Sequence, residues 1–212
     1  MANPNHLLVE DRDTLGAVVG LMKQHIPWGN AENEWPTKIE VRHSSDEVLD
    51  RRFLKTKLKE SGLRALGLIV DADGEFEGRW QNVKAICEQL GGICPEQCPE
   101  GGLILDLNAH KFGVWIMPDN KSGGMLENFC HTLVPAVSKG LWEFACQCAQ
   151  NAKAYGASYK VVHTDKAYMH TWLAWQDPPG ERMGSAITKQ ILRNETASAM
   201  SFVRWFRELY GA

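Results

Sequence analysis

Residues 63–74 read LRALGLIVDADG, and the fold follows from how that stretch is interpreted. An apolar run without polar alternation, ending abruptly in acids, is the pattern of a strand buried on both faces, as in a parallel sheet covered by helices. Gly74 supplies the turn that follows. On the amino-terminal side, residues 6–10 (HLLVE) repeat the pattern in shorter form, an apolar run closing on Glu10. Asp13 and Thr14 then offer caps for a helix through residues 15–26 (LGAVVGLMKQHI), whose apolar positions recur on one face. Residues 27–36 form a breaker-rich loop, and 38–43 (KIEVRH) alternate as a strand with Ile39 and Val41 on one face. Ser44 or Ser45 caps the next helix, which continues through 49–60 (LDRRFLKTKLKE) until Gly62 stops it.

On the carboxyl side, residues 79–92 (RWQNVKAICEQLGG) predict another helix, and 94–102 a turn-rich connection. Residues 103–108 (LILDLN) and 111–118 (KFGVWIMP) predict two adjacent strands joined by a short turn near Asn108 to His110. Beyond Asp119 strand periodicity ends, and helices are expected over parts of 124–134, 141–155, 166–176 and 201–210. In the last of these, Phe202, Val203, Phe206 and Leu209 share one face. The β-α-β-α-β-α order predicts an α/β fold with a mainly parallel sheet flanked by helices and a helical C-terminal third. One domain is expected over residues 1–212, with an α/β core at 1–120 and a mostly helical part at 121–212. In such sheets ligands gather at the carboxyl ends of the strands, where both acidic turns fall.

With 212 residues and 44% apolar composition, the chain is long enough to bury a substantial core. A formal net charge of −3 means that contact with a polyanion requires a local basic patch or a metal bridge. No apolar run approaches the roughly 18 residues of a membrane span. The opening MANPNHLLVE carries neither a basic leader nor a signal-length apolar stretch, so the cytoplasm is the expected compartment. Six cysteines without a secretion signal are expected to be free thiols. Cys87, Cys94, Cys98 and His110 lack the paired spacing of a zinc site and are expected to pack as small side chains.

Strand-terminal carboxylates facing one another repel and raise one another's pKa, so Glu10, Asp71 and Asp73 together call for a divalent cation or strong donors. Hard oxygen ligands suit Mg²⁺ or Mn²⁺. In an extended backbone Asp71 and Asp73, two residues apart, would project the same way and serve one ion. An EF-hand is excluded, because Gly74 stands fourth and Asn82 twelfth where Gly is needed sixth and Glu twelfth. A haloacid-dehalogenase-type D-x-D-G would stand on the first strand and be followed by a hydroxyl residue, where this chain has Glu75. A response-regulator receiver, with acids at the first strand and an aspartate at the third, stays open.

The strand-end glutamate of LLVE at 7–10 and the D-x-D of LIVDADG at 68–74 resemble the TOPRIM signature of topoisomerases, primases and certain nucleases. Residues 116–129 (IMPDNKSGGMLENF) resemble the later strand-to-helix turn of TOPRIM nucleases of the overcoming-lysogenization-defect type. The resemblance implies a further acid there, Glu127 of the Leu-Glu pair, with Asp119 as the alternative supplier. Together with KAYMHTWLAWQDPPG at 166–180, the chain is similar over nearly its whole length to a small stand-alone bacterial TOPRIM-like family of uncharacterised function. The implied fold is Rossmann-like; the implied roles are metal binding by Asp71 and Asp73, and metal or proton-transfer chemistry by Glu10. One departure is Asp11, which stands where the family's glycine follows that glutamate.

Lys166 is a candidate catalytic cation for developing phosphate charge. Arg51, Arg52, Lys55 and Lys59 can share one helix face, as a phosphate track or as solvated surface. Trp172 and Trp175, at helical spacing, are expected in the core, and His163 and His170 lack a paired nucleophile. The expected function is Mg²⁺ (or Mn²⁺)-dependent phosphodiester chemistry on nucleic acid by a nuclease or nuclease subunit. The alternative is a non-catalytic module that binds nucleotide, nucleic acid or a partner ATPase. No membrane partner is expected, and self-association is left open.

Overall fold

The computed structural model describes residues 3–107 and 109–212. Five strands form one sheet in the order β2-β1-β3-β5-β4, made of β1 (Asn5–Val9), β2 (Lys38–Val41), β3 (Ala65–Asp71), β4 (Leu103–Leu107) and β5 (His110–Met117). Neighbours β2, β1, β3 and β5 run parallel, and β4 closes the edge antiparallel to β5. The expected α/β fold with a mainly parallel sheet is present. The expected turn between β4 and β5 includes Asn108, which lies outside the described residues.

β3 is buried from Ala65 to Val70, as its unbroken apolar run requires. Its side chains alternate between two cores. Ala65 and Ile69 join Leu7, Val9, Trp115 and Met117 on one face, while Leu66, Leu68 and Val70 join Leu8, Phe112, Val114 and Ile116 on the other. Helices α2 (Ser45–Val48), α3 (Arg51–Lys57) and α4 (Phe76–Gln89) contribute Val48, Leu54, Trp80 and Val83 to the second core. The first core is covered by α1 (Arg12–Met22), α5 (Leu126–His131), α6 (Lys139–Ala152), α7 (Thr164–Leu173), α8 (Met183–Thr188) and α9 (Ala197–Tyr210).

Local caps explain where several helices begin. Asp11, rather than Asp13, caps α1 by accepting the Thr14 N–H at 2.7 Å. Ser44 caps α2 by accepting from Glu47 N. The helix expected to run from there to Gly62 is instead broken, because Asp50 accepts from Phe53 N at 2.8 Å and starts α3 afresh. At the opposite end of the chain α9 presses on the sheet, with Leu209 over Gly67 and Gly113, which are register partners on β3 and β5. A Cβ on Gly113 would stand 2.7 Å from Leu209 Cδ2, so bare backbone is what admits the helix. Trp172 is fully buried, as its spacing suggests, whereas Trp175 is 42% exposed beside Phe144. All six cysteines are unpaired. Among the described residues no helix is long and apolar enough to cross a membrane.

Candidate functional site

The carboxyl ends of β1 and β3 lie side by side, and each delivers an acid. β1 pairs with β3 through Leu8 and Leu68, and the ladder then passes from backbone to side chain: Glu10 Oε1 accepts the Asp71 N–H at 2.8 Å. Glu10 is thereby fixed against the start of the acidic turn. Burial raises its pKa; the Asp71 N–H and Arg79 pull it down, Asp73 and Asp11 push it up, and the balance stays above the ordinary value.

Asp71, the last residue of β3, is pushed up to about 8 by burial first and then by Glu10, Glu127, Asp73 and Asp11. Among the described residues no donor reaches its carboxyl group. The protein therefore gathers acids around one partly buried carboxyl and gives that carboxyl no donor, which disfavours its ionised form. At neutral pH Asp71 holds a proton that an ordinary aspartate has lost.

Asp73 departs from the extended geometry that would have aimed it with Asp71. Its φ of 55° is left-handed, and an isolated bridge joins it to Gly124, with Asp73 N donating to Gly124 O at 2.9 Å and Gly124 N donating back at 2.6 Å. The turn carries Asp73 outward, to 56% side-chain exposure, where Arg79 Nη2 donates to Oδ2 at 2.7 Å. Arg79, in the first turns of α4, escapes sequence reasoning because the pairing depends on that left-handed residue. A positively charged residue shortly after a D-x-D is the only signal the sequence carries.

Glu127 lies on α5, buried at 3% exposure, and its charge bears on Asp71. Lys166 from α7 reaches it at 3.4 Å. Burial opposes the lysine's charge, but Glu127, Asp11 and Asp13 outweigh it and raise its pKa. Asp119 takes another part. Its carboxylate accepts from Lys121 N, Ser122 N and Ser122 Oγ at 3.2, 2.8 and 3.1 Å, shaping the loop that presents Gly124 to Asp73. Asn120 anchors the same loop by accepting the Ile116 N–H at 2.8 Å.

Glu10, Asp71, Asp73, Glu127 and Lys166 thus belong to one charge-coupled edge, and Asp119 builds its wall. Among the described residues no three His, Cys, Asp or Glu side chains converge closely enough to cage a metal ion. The spread has an identifiable cause, since Arg79 draws Asp73 aside and Lys166 holds Glu127. Glu10 and Asp71, tied by the Asp71 N–H to Glu10 Oε1 bond, both carry carboxyl oxygens, the donor type that a hard divalent cation takes. Of the basic run, Lys57 turns inward to Glu40 at 2.6 Å and Glu60 at 3.1 Å, while Arg51, Arg52, Lys55 and Lys59 stay exposed.

No curated protein and no solved structure matches the chain. A family model does, over residues 4–211, described as a protein of unknown function (DUF3226). Since that match covers nearly the whole chain, the protein belongs to the DUF3226 family.

Proposed function

We propose that the edge formed by Glu10, Asp71, Asp73 and Glu127 serves Mg²⁺- or Mn²⁺-dependent phosphodiester chemistry on nucleic acid, as a nuclease or nuclease subunit. The observation that supports this most directly is Asp71, whose pKa is pushed up to about 8 by burial and by neighbouring acids, with no donor to relieve it. Carboxyls with pKa values raised this far by burial and neighbouring acids cluster at functional sites. The similarity of the strand-end glutamate and the D-x-D to TOPRIM motifs points to the same chemistry.

Asp71 and Glu10 would hold the cation, with Asp73 joining once it leaves Arg79. A divalent cation there would neutralise a phosphate oxygen and favour deprotonation of water. The chain's own contribution is proton handling and charge placement. Glu10, fixed by the Asp71 N–H, can accept a proton, and Asp71 carries one near neutrality that it must release when positive charge arrives. Lys166 can shift from Glu127 toward developing negative charge on a phosphate.

A second reading is a non-catalytic binding module for nucleotide, nucleic acid or a partner ATPase. The Arg79–Asp73 and Lys166–Glu127 pairs favour it, because they balance two of the acids internally. Calorimetric titration of Mg²⁺ and Mn²⁺ into wild type and Asp71→Asn, in buffers of different ionisation enthalpy, separates the readings. The expected result is binding with proton release near pH 7, abolished by Asp71→Asn, and cation-dependent cleavage of single-stranded or supercoiled substrates. Cation binding without cleavage of DNA or RNA favours the binding module. Absence of cation binding overturns the site.

A further inference from the structure

A cavity of about 730 Å³ opens beside α1 and α8, walled across from them by Glu32, Trp35, Val41 and His43. That size is within the roughly 300–1,000 Å³ of small-ligand sites. At its floor the two helices meet at glycines: Gly16 faces Gly184, and Gly20 faces the Gly184 backbone and the Thr188 hydroxyl. This pairing sets the starts of both helices at one end, so Arg12 and Arg182 flank the same mouth. That mouth adjoins the acidic edge, because Arg12 directly follows Glu10 and Asp11. Asp13, on the cavity wall, also acts on Lys166, the partner of Glu127.

Three features point to the occupant. Trp35 is half-buried and is backed by Trp28 at 5.7 Å, which in turn lies 6.0 Å from Phe206 of the core, so the aromatic wall is fixed. His43 presents an exposed ring from a left-handed backbone at φ 68°, a conformation that costs energy for a residue with a side chain. Arg12, Lys23 and Arg182 line the cavity with no ion pair or side-chain hydrogen bond among the described residues, whereas Lys189 is held by Glu181. The acids facing them are Asp13 and Glu32, which leaves a local surplus of positive charge on a chain of net charge −3. A small surplus suits one phosphate and disfavours a long polyanion.

We propose that this cavity binds a single nucleoside phosphate, with the base against Trp35 and His43 and the phosphate between Arg12 and Arg182. A free nucleotide and the terminal nucleotide of a strand share this chemistry. Binding stands apart from the cation chemistry, but delivery of the phosphate to Glu10 and Asp71 rests on the function proposed above.

The test is calorimetry in EDTA with adenosine monophosphate, adenosine and inorganic phosphate, and competition by a 5′-phosphorylated oligonucleotide. Adenosine monophosphate is expected to bind about tenfold or more tighter than either fragment. The double variant Arg12→Glu/Arg182→Glu, both exposed and outside the packing, should melt like wild type and bind about tenfold or more weaker. Asp71→Asn should bind as wild type does, so loss of cation binding in that variant leaves this result untouched. Competition by the oligonucleotide assigns a strand end and its absence a free nucleotide, and both uphold the site. No binding of adenosine monophosphate at millimolar concentration, equal binding of inorganic phosphate, or unchanged affinity in the charge-reversed variant would overturn it.

Discussion

Asp71 shows how a single side chain couples stability to pH. Its folded-state pKa of about 8 exceeds the ordinary 3.8, so between these values the folded chain keeps a proton that the unfolded chain has released. Stability from this group is full below the unfolded value and declines as pH rises through the folded one, by up to about 1.4 kcal/mol per pH unit. Asp71→Asn removes the ionisation and should flatten the profile, leaving the variant more stable than wild type at pH 8 and closest to it near pH 4. Thermal melts across that range check this, and parallel profiles would contradict it. The order of Glu10, Asp71 and Asp73 was legible because strand ends in a parallel sheet place acids predictably. The partners of the acids were not, because Arg79 meets Asp73 only through a left-handed turn clamped by Gly124.

At the scale of elements, hydrophobic period found β1, β3 and the amphipathic α9, where packing and pattern agree. It missed α8, whose six residues MGSAIT carry too little apolar period to register. That helix is specified instead by contact with α1 at Gly16, Gly20 and Gly184, a feature visible only once both backbones are placed. It also could not see that Asp50 would restart the helix after Val48, since either serine or aspartate can cap and the choice depends on where the chain bends. Gly20→Ala tests the crossing. The added methyl would be driven into Gly184 O and would stand 3.1 Å from Gly184 C and Thr188 Oγ1, and backbone on the other side cannot yield. Overpacking of this kind costs about 1–3 kcal/mol, a fall in Tm of roughly 2–12 °C for a chain of this size. Gly184→Ala should cost a similar amount, and the double variant less than the sum, because both methyls open the same contact.

The whole molecule depends on a contact that no local pattern announces. Periodicity predicted a helical C-terminal third but not its return to the first strand: Tyr210, at the end of α9, donates its hydroxyl to His6 O at 2.8 Å across 204 residues of sequence. Phe202, Val203, Trp205, Phe206 and Leu209 of the same helix are buried at 1% or less and complete the core beneath Ile69 and Trp115. The sheet order β2-β1-β3-β5-β4 is likewise a product of such long-range contacts, and a strand list alone does not fix it. Two variants divide the helix's contributions. Tyr210→Phe leaves the ring in place and removes one buried hydrogen bond, so it should cost about 1 kcal/mol and roughly 2–4 °C in Tm, with the cooperative melt retained. A chain ending at Thr196 uncovers β3 and β5 around Gly67 and Gly113 and strips Phe202, Val203, Trp205, Phe206 and Leu209 from the first core, and burial lost on that scale rivals the total stability of ordinary domains. It should show no cooperative melt, bind a hydrophobic dye and lose its near-UV dichroism. A cooperative transition in the shortened chain would mean instead that the α/β part carries its own core, with α9 only docked upon it.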